Sequence, residues 1–428
     1  MVETPLIIGT YGGRTVSKHT PYPRDFIFDL PKSDLHVHLD GSVRLTTLIE
    51  LARKRKVKLP SFTESGLKEL VFKERYRSLQ EYLYGFAFTG AVMQDPESLE
   101  RIAYEFAWDN INENVYYVEV RFAPQLHINT RQNMSDVISA VNRGLRQAQV
   151  EQNTSEAVLA KLRPRFEYGI ITSALRMFQP NYSEHYGNFF NVHQYSQHRD
   201  IYPLASLELA KAAVQLRDKE GLPIVGFDLA GEEKGYPADH HREAFKYAQK
   251  HFLKKTVHAG EAYGPESIYQ AITDLQAARI GHGYYLFSVG AIKDKSIEDR
   301  YAYVRALSEY ISDRRVTIEV CLTSNLQTNP KIKKVSNHAF RKMRKAKLST
   351  TICTDNRTVS NTTVTDELHL AANTFHLKQR ELKNIVIYGF KRSFFPGNYT
   401  EKRQFVRDII DYFEKLEEQY FGSFEPKQ

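Results

Sequence analysis

The sequence predicts an α/β fold, a parallel (β/α)8 (TIM) barrel with an N-terminal arm and loop insertions. Eight short apolar runs recur along the 428 residues, amphipathic stretches separate several of them, and no internal repeat or low-complexity tract divides the chain. Strands that alternate with helices form parallel sheets, and eight such units close a barrel. One barrel with insertions also accounts for the whole length, so we expect a single domain.

Each predicted strand is a short apolar run, as in strands that are buried on both faces. In chain order the predicted strands are Asp34–Leu39, Val115–Phe122, Phe166–Thr172, Ile224–Leu229, Thr256–Ala259, Arg279–His282, Val316–Cys321 and Ser349–Thr354. Between them, Leu45–Lys54 and Leu207–Lys219 carry apolar residues spaced by three and four, which predicts amphipathic helices. In such a barrel the active site lies at the carboxyl ends of the strands.

Three segments depart from a minimal barrel. Residues 1–28 precede the first strand and are predicted to form an arm on the barrel floor, so that residues 29–428 form the barrel domain. Phe178–Tyr202 is too long for a simple loop and is interpreted as an insertion, either an ordered surface excursion or a lid or oligomer contact. Leu79–Phe88 is predicted to be a helix over the barrel mouth, where its apolar residues form a hydrophobic gate or pack in the core.

Composition and charge argue against several functional classes. Apolar residues make up 42% of the chain and charged residues 26%, as in ordinary soluble globular proteins. The net charge of +8 comes from dispersed basic residues, and the densest run, Lys342–Lys347, is interpreted as one solvated helix. Because no aromatic-interleaved basic motif accompanies it, we do not expect nucleic-acid binding.

Cysteine content and hydropathy suggest a cytoplasmic protein. Cys321 and Cys353 both lie in apolar runs, which indicates buried thiols in a reducing compartment and not a disulfide framework. The N-terminal residues lack the pattern of a secretory signal, and no run approaches the roughly 18 apolar residues of a membrane span. We therefore expect no membrane partner.

Candidate metal ligands lie at the ends of four predicted strands. His36 and His38 are two apart on the first strand, so both imidazoles point to the same face. His258, His282 and Asp355 end or follow the fifth, sixth and eighth strands. Imidazoles and carboxylates bind catalytic Zn²⁺, and a convergent set is poorly explained by packing. Such an ion lowers the pKa of its water to about 7, which predicts a hydrolytic reaction.

Two further features refine this chemistry. Glu261 follows His258 by three residues, and a buried Glu outside the coordination shell could act as a proton donor if burial raised its pKa. A neutral His could orient the water or take its proton. The fourth strand, Ile224–Leu229, has no Lys that could be carboxylated to bridge two metals, so one ion per chain is expected.

Seven short motifs occur together in one order along the chain. They are His36–Gly41, Glu119–Pro124, Asp228–Glu233, His258–Glu261, Ile280–Gly283, Ser324–Asn325 and Thr354–Asp355. With these motifs, from the first predicted strand almost to the C-terminus, the chain resembles the adenosine deaminases of the metal-dependent amidohydrolase superfamily. The run Thr354–Arg357 is similar to that of a bacterial branch.

The resemblance implies a catalytic site around one Zn²⁺ ion. The implied zinc ligands are His36, His38, His258 and Asp355. Glu261 would protonate purine N1, while His282 would orient and help deprotonate the water, with Asp355 sharing that work. The expected reaction converts adenosine, and 2′-deoxyadenosine, to inosine and ammonia in purine salvage.

The resemblance also implies substrate contacts. Asp40 would hold the ribose hydroxyls, the backbone N–H of Gly231 would contact the purine, and His38 also belongs to the expected substrate site. The chain departs from the best-known members at Asn356, where they carry an Asp thought to hydrogen-bond purine N7. An amide can donate to N7 without titrating, so the departure affects the exact substrate more than the reaction.

Two alternative functions remain at this point. The chain could deaminate another 6-aminopurine, such as adenine, a 5′-modified adenosine or an N6-substituted nucleotide. Asp40 disfavours nucleotides, because a carboxylate near the 5′ position repels phosphate. The chain could also be a non-catalytic binding protein, but such a role would not require both the full ligand set and Glu261.

Overall fold

The computed structural model describes residues 21–329 and 332–422, and within them it confirms the predicted barrel. Eight parallel strands form one sheet whose spatial order follows the chain order. The strands are β1 (Lys32–His38), β2 (Val115–Phe122), β3 (Glu167–Leu175), β4 (Ile224–Ala230), β5 (Lys254–Ala259), β6 (Arg279–His282), β7 (Thr317–Val320) and β8 (Ser349–Ile352). Nearly all strand residues are buried, as expected of strands covered on both faces.

The barrel closes where the chain beyond β8 meets β1. The backbone N–H of His38 donates to the carbonyl of Asp355 at 2.8 Å, and the N–H of Asp355 donates to the carbonyl of His36 at 2.8 Å. These bonds form an isolated parallel bridge between Val37 and Asp355. Residues that the sequence marks as candidate ligands therefore also join the two ends of the sheet.

Observed strand limits differ from the predicted ones by up to three residues, and β1 and β5 each begin two residues earlier than predicted, at Lys32 and Lys254. β3 continues beyond Thr172 to Leu175, because it stays paired with β4 over those residues. β7 and β8 end at Val320 and Ile352, one and two residues earlier than predicted. After β8 the chain leaves regular strand geometry, and Asp355 has a left-handed φ of +63°.

Seventeen α-helices occur in the described residues. They are α1 (Arg24–Asp29), α2 (Leu45–Arg55), α3 (Glu64–Leu70), α4 (Leu79–Val92), α5 (Pro96–Ile111), α6 (Met134–Asn153), α7 (Glu156–Leu159), α8 (Glu184–Val192), α9 (His198–Glu220), α10 (Arg242–Lys250), α11 (Pro265–Thr273), α12 (Arg300–Asp313), α13 (Leu322–Thr328), α14 (Phe340–Lys345), α15 (Val364–Thr374), α16 (Gln379–Arg392) and α17 (Tyr399–Phe421). The predicted helices at residues 45–54 and 207–219 fall within α2 and α9. The basic run at residues 342–347 falls largely in α14.

Helix α16 covers the outside of the seam between β8 and β1. It approaches closely because Gly389 has no side chain: a Cβ at this position would lie 2.0 Å from the hydroxyl of Ser33 and 3.2 Å from that of Thr351. The helix thus packs on both strands that form the seam. This packing holds β1 and β8 together on the outer side of the barrel.

The predicted N-terminal arm is only partly described. Residues 1–20 lie outside the described residues, and the remainder contains α1. At the amino end of β1, the ammonium group of Lys32 donates to the carbonyl groups of Ile27 at 3.2 Å and Leu30 at 2.9 Å. Burial lowers the pKa of Lys32 to about 7. These contacts fix α1 at the end of the barrel opposite the candidate ligands.

The segment Phe178–Tyr202 contains α8 and the first turn of α9. It contributes most of a small apolar cluster that is separate from the main core and consists of Phe178, Tyr186, Ile201, Tyr202 and Ala205. The rings of Phe178 and Tyr186 are stacked, with their centroids 4.0 Å apart. This segment is therefore an ordered excursion with its own apolar packing.

Two other expectations can be compared with the described residues. Both cysteines are buried and free. Among residues 21–329 and 332–422, no helix combines the length and apolar character that crossing a membrane requires.

Candidate active site

A cavity of about 760 Å³ opens at the carboxyl ends of the strands. It is lined by almost all residues that the sequence predicts for the site: His38, Asp40, Gly231, His258, Glu261, His282, Asp355 and Asn356. The remaining predicted residue, His36, is fully buried and its ring lies 4.5 Å from that of His258. The fold therefore brings together side chains from distant parts of the chain. Beside the site, for example, Thr354 and Asp34 are 320 positions apart in the sequence and form a hydrogen bond.

Four side chains converge as a candidate metal centre. The potential ligand atoms of His36, His38, His258 and Asp355 all lie within 4.8 Å of one another. The Nε2 atoms of His38 and His258 are 3.1 Å apart, and Nε2 of His36 is 3.4 Å from Oδ1 of Asp355. Three imidazoles and one carboxylate match the donor set of a catalytic zinc site.

The hydrogen bonds of this cluster also fit a cation. Nε2 of His36 is fully buried and makes no hydrogen bond within the described residues. A buried imidazole nitrogen without a partner is costly unless it has another ligand. A divalent ion among the four side chains would satisfy this nitrogen and separate the two facing nitrogen atoms of His38 and His258.

His282 lies close to the four candidate metal ligands but outside their group. Its ring centroid is 4.8 Å from that of His36, but it is not part of the four-residue cluster. Its Nε2 atom lies 3.7 Å from Oε2 of Glu261. His282 is therefore placed beside the candidate acid, with both side chains facing the cavity.

The far nitrogen atoms of two candidate ligands are held by buried carboxylates. Nδ1 of His36 lies 2.8 Å from Oε2 of Glu319, and Nδ1 of His258 lies 3.1 Å from Oδ1 of Asp228. A carboxylate accepts from an Nδ1–H group, so the proton of the neutral ring stays on Nδ1 and the Nε2 lone pair faces the cluster. Both rings are thus oriented as metal ligands.

Arginines balance these two carboxylates. Arg121 lies between them, with Nη2 2.9 Å from Glu319 and Nη1 3.4 Å from Asp228. Nε of Arg279 lies 2.6 Å from Glu319. Burial raises the pKa of both acids, but Arg121 and Arg279 outweigh this effect at Glu319 and hold its pKa well below the usual range. At Asp228 the interactions with His258 and Arg121 likewise outweigh burial and lower the pKa.

Sequence analysis did not identify this supporting network. Arg121 and Asp228 belong to two of the seven motifs, whereas Glu319 and Arg279 lie in predicted strands outside those motifs. Each is a charged residue within a run that is otherwise predicted to be buried, and buried charges require a partner. That pattern could have indicated a network inside the barrel, although not its partners.

Glu261 is held on a loop that Glu233 organises. The carboxylate of Glu233 accepts backbone N–H groups from all four residues of the segment 260–263, at 2.7, 3.1, 2.7 and 2.9 Å. Burial raises the pKa of Glu261 to about 8, and the charges of Asp355 and Glu233 add to the effect. Glu261 is therefore protonated at neutral pH and can donate a proton inside the cavity.

Backbone strain coincides with the reactive side chains. His282 has φ of +65° and Asp355 has φ of +63°, a region that non-glycine residues rarely adopt. Gly281 precedes His282, and a Cβ there would lie 2.7 Å from Cε1 of His36. Only glycine lets β6 approach the His36 ring this closely.

The predicted substrate residues line the same cavity as His38, His258 and Asp355 of the candidate metal centre. Burial raises the pKa of Asp40 to about 7 against hydrogen bonds from its own and the following backbone N–H group, with a further contribution from Asp355. The amide Nδ2 of Asn356 donates to the hydroxyl of Tyr82 at 2.6 Å, while its Oδ1 makes no hydrogen bond within the described residues. Gly231 lies at the edge of the cavity with φ of +92°.

Helix α4 and the segment before α8 form the outer wall of the cavity. Their lining residues are Tyr82, Leu83, Tyr84, Phe86, Ala87, Gly90, Ala91, Asn181, Tyr182 and Ser183. The predicted helix at residues 79–88 thus contributes apolar side chains to the mouth. None of the described residues that line this cavity is Lys or Arg.

The chain is similar to known proteins over most of its length. A family model described as Adenosine deaminase matches residues 31–178 and 196–412, and the residues between these two ranges belong to the predicted insertion. The adenosine deaminase of Mycobacterium avium is 32% identical over 396 residues, which cover 91% of this chain and 97% of that protein. The adenosine deaminase of Vibrio atlanticus is 34% identical over 366 residues, 85% and 94% of the two chains.

A solved structure shares both fold and sequence with this chain. The apo N6-methyl-AMP deaminase of Arabidopsis thaliana superposes with a TM-score of 0.68 at 25% identity. The match covers 91% of this chain and 98% of that one.

Removing one candidate ligand should abolish tight metal binding. We expect His258→Ala to weaken the affinity for Zn²⁺ by more than about 100-fold, because loss of an outer partner alone costs about 10–100-fold. Isothermal titration of metal-free protein with Zn²⁺, combined with elemental analysis, measures this. The matched control is His241→Ala, which removes a buried imidazole that contacts Ser206 outside the cluster. Equal zinc affinity in the His258→Ala and His241→Ala variants would contradict the assigned ligand role.

Proposed function

Because the chain belongs to the adenosine deaminase family, hydrolases that act on C–N bonds, we propose that it hydrolyses adenosine and 2′-deoxyadenosine at C6. The products are inosine, or 2′-deoxyinosine, and ammonia, which gives the chain a role in purine salvage. The observation that carries this proposal is the buried acid Glu261, protonated at neutral pH and facing His282 beside a four-residue ligand cluster. A binding protein would have no use for this arrangement.

The metal in this proposal is zinc, one ion per chain. His36, His38, His258 and Asp355 would hold it, and the buried Nε2 of His36, which makes no hydrogen bond within the described residues, supports this assignment. When bound, the ion supplies a water molecule that is activated as a nucleophile near neutral pH.

The side chains then move protons in a balanced sequence. Glu261 donates its proton to purine N1, which makes C6 electrophilic. The water oxygen bonds to C6 while its proton passes to Asp355, with His282 orienting the water. The C6–N bond then breaks, the amine takes the proton from Asp355 and leaves as ammonia, and the new C6 hydroxyl returns a proton to Glu261. The enzyme groups end in their starting states.

The substrate contacts follow from positions around the cavity. Asp40 accepts hydrogen bonds from the ribose hydroxyls, and the N–H of Gly231 donates to the purine, with His38 beneath the ring. Asn356 has two amide hydrogen atoms; one is used by Tyr82, and the other is available for purine N7. A site that pairs with sugar hydroxyls and ring nitrogen atoms discriminates against molecules that lack them.

The cavity lining favours a nucleoside over a nucleotide. The described lining contains Asp40 and Glu232 but no Lys or Arg. A phosphate beside these acidic and apolar side chains would have no basic side chain of the described lining to pair with, which is electrostatically unfavourable. The proposed substrate therefore lacks the phosphate that the name of the Arabidopsis relative indicates. Adenine is disfavoured because it would leave Asp40 without a partner.

Zinc-loaded protein should deaminate adenosine, with loss of activity when a chelator removes the metal. The change in ultraviolet absorbance between adenosine and inosine measures the rate, and AMP, N6-methyl-AMP and adenine serve as comparison substrates. We expect kcat/KM for adenosine to exceed that for AMP by at least about 100-fold, a ratio typical of a site whose polar groups are left unpaired or repelled. No turnover of adenosine by metal-loaded protein would refute the proposal.

The rate should fall as the pH rises through about 8. Glu261 must be protonated to act, and its pKa is raised to about 8, so the protonated fraction decreases above that value. The pH dependence of kcat/KM measures this alkaline limb. Glu261→Gln should abolish turnover while zinc stays bound. A profile that remains flat well above pH 8 would assign the proton donation to another group.

Asn356→Asp should retain activity but make it more dependent on pH. A carboxyl group can donate to N7 only when it is protonated, whereas the amide donates at every pH. As the pH rises, we therefore expect the activity of this variant to begin to fall at a lower pH than the activity of the wild type. Asn361→Asp, an exposed change five residues further on, is the matched control. An inactive Asn356→Asp protein with intact zinc content would exclude this role.

A further inference from the structure

Hydrogen bonds connect three polar side chains in series, from His282 at the cavity to His338 in the protein interior. Nδ1 of His282 lies 3.0 Å from Nδ2 of Asn325. Oδ1 of Asn325 lies 3.1 Å from Nε2 of His338. Nδ1 of His338 in turn lies 3.0 Å from the backbone nitrogen of Phe340. His282, Asn325 and His338 are all buried, so these bonds are not exchanged with solvent.

The donor and the acceptor of each of these three hydrogen bonds can be assigned in turn, starting from Phe340. We call the series of bonds from Phe340 through His338 and Asn325 to His282 the relay. The backbone N–H of Phe340 can only donate, so Nδ1 of His338 accepts and carries no proton. Burial lowers the pKa of His338 to about 3, which keeps the ring neutral. Its one proton is therefore on Nε2 and is donated to the carbonyl oxygen of Asn325.

The orientation of the Asn325 amide follows. Its oxygen faces His338, and its Nδ2–H group therefore points at His282. A donor opposite Nδ1 of His282 requires an unprotonated nitrogen there. In the neutral His282 ring the proton is thus on Nε2, the atom that faces Glu261 and the cavity.

We propose that His338 is a positioning residue that acts through Asn325 to hold His282 with its proton on Nε2. This inference rests on the proposed function and deepens it. His282 then donates a hydrogen bond to the attacking oxygen and stabilises the negative charge that develops there. It does not accept the proton of the water, so that step is left to Asp355 in the proposed sequence.

A purely packing role for Asn325 and His338 makes a different prediction. Packing residues would not determine which nitrogen of His282 is protonated. Substitutions of Asn325 or His338 would then change the free energy of unfolding but not the position of the proton on the His282 ring. The position of the ring proton therefore separates the two interpretations. It can be read without substrate and without turnover.

Nitrogen-15 spectra of histidine-labelled, zinc-loaded full-length protein test the proposal directly. Protonated and unprotonated imidazole nitrogen atoms have well-separated shifts, and comparison with a His282→Asn variant assigns the signals. We expect Nδ1 of His282 to be unprotonated in the wild type at neutral pH. In Asn325→Asp the new carboxylate can only accept, so Nδ1 should become protonated. A wild-type His282 with its proton on Nδ1 would overturn the proposal.

Kinetics of paired variants at His338 provide the second readout. His338→Phe removes the donor to Asn325, whereas His338→Gln supplies an amide N–H in its place. We expect His338→Phe to lower kcat by about 10–100-fold with KM little changed, as for other residues that orient a catalytic imidazole. His338→Gln should recover most of this loss. Equal kcat in wild type and a folded, zinc-replete His338→Phe protein would contradict the positioning role.

The two proposals can fail separately. If wild-type protein does not deaminate adenosine, the proposed function fails, but the ring proton of His282 can still be located. If adenosine is deaminated and Nδ1 of His282 is protonated, the function stands and the relay is wrong. If His338→Phe does not fold, the wild-type and Asn325→Asp spectra remain decisive.

Discussion

Charge pairing inside the barrel is the constraint on which the site depends. Arg121 and Arg279 are buried together with Glu119, Glu319 and Asp228. Removing ions from water costs several kcal/mol for each ion, and only close pairing offsets this cost. Glu319 and Asp228 each also contact one imidazole, that of His36 and that of His258 respectively. The charges that stabilise one another inside the barrel therefore also orient two of the candidate metal ligands.

The sequence predicted the barrel well because burial and composition agree in its strands. Runs such as Val115–Phe122 and Arg279–His282 match the observed strands residue for residue, since each is limited by the change from apolar residues to loop residues. The two-residue spacing of His36 and His38 likewise places both side chains on the same face of a strand. Ends that depend on pairing with a neighbour, as at Leu175, could not be predicted from one strand alone.

The outer parts of the site were beyond prediction for a related reason. Asn325 lies in α13 and His338 in the segment before α14, and only the folded chain places Asn325 between His282 and His338. Residue types also could not decide whether His282 is a ligand, because an imidazole is equally suitable for both roles. In the folded chain the four candidate ligand atoms converge, while His282 lies beside Glu261. Chemistry that depends on the direction of a hydrogen bond requires this level of detail.

The seam of the barrel has a consequence for the whole molecule. Asp355 joins β8 to β1 through its backbone and belongs to the ligand cluster through its side chain. A ligand that binds only to the closed sheet stabilises it by mass action, in proportion to the logarithm of its concentration over its dissociation constant. A metal ion bound to this cluster would therefore stabilise the junction between the first and last strands, and the concentration of free metal would set the size of that stabilisation.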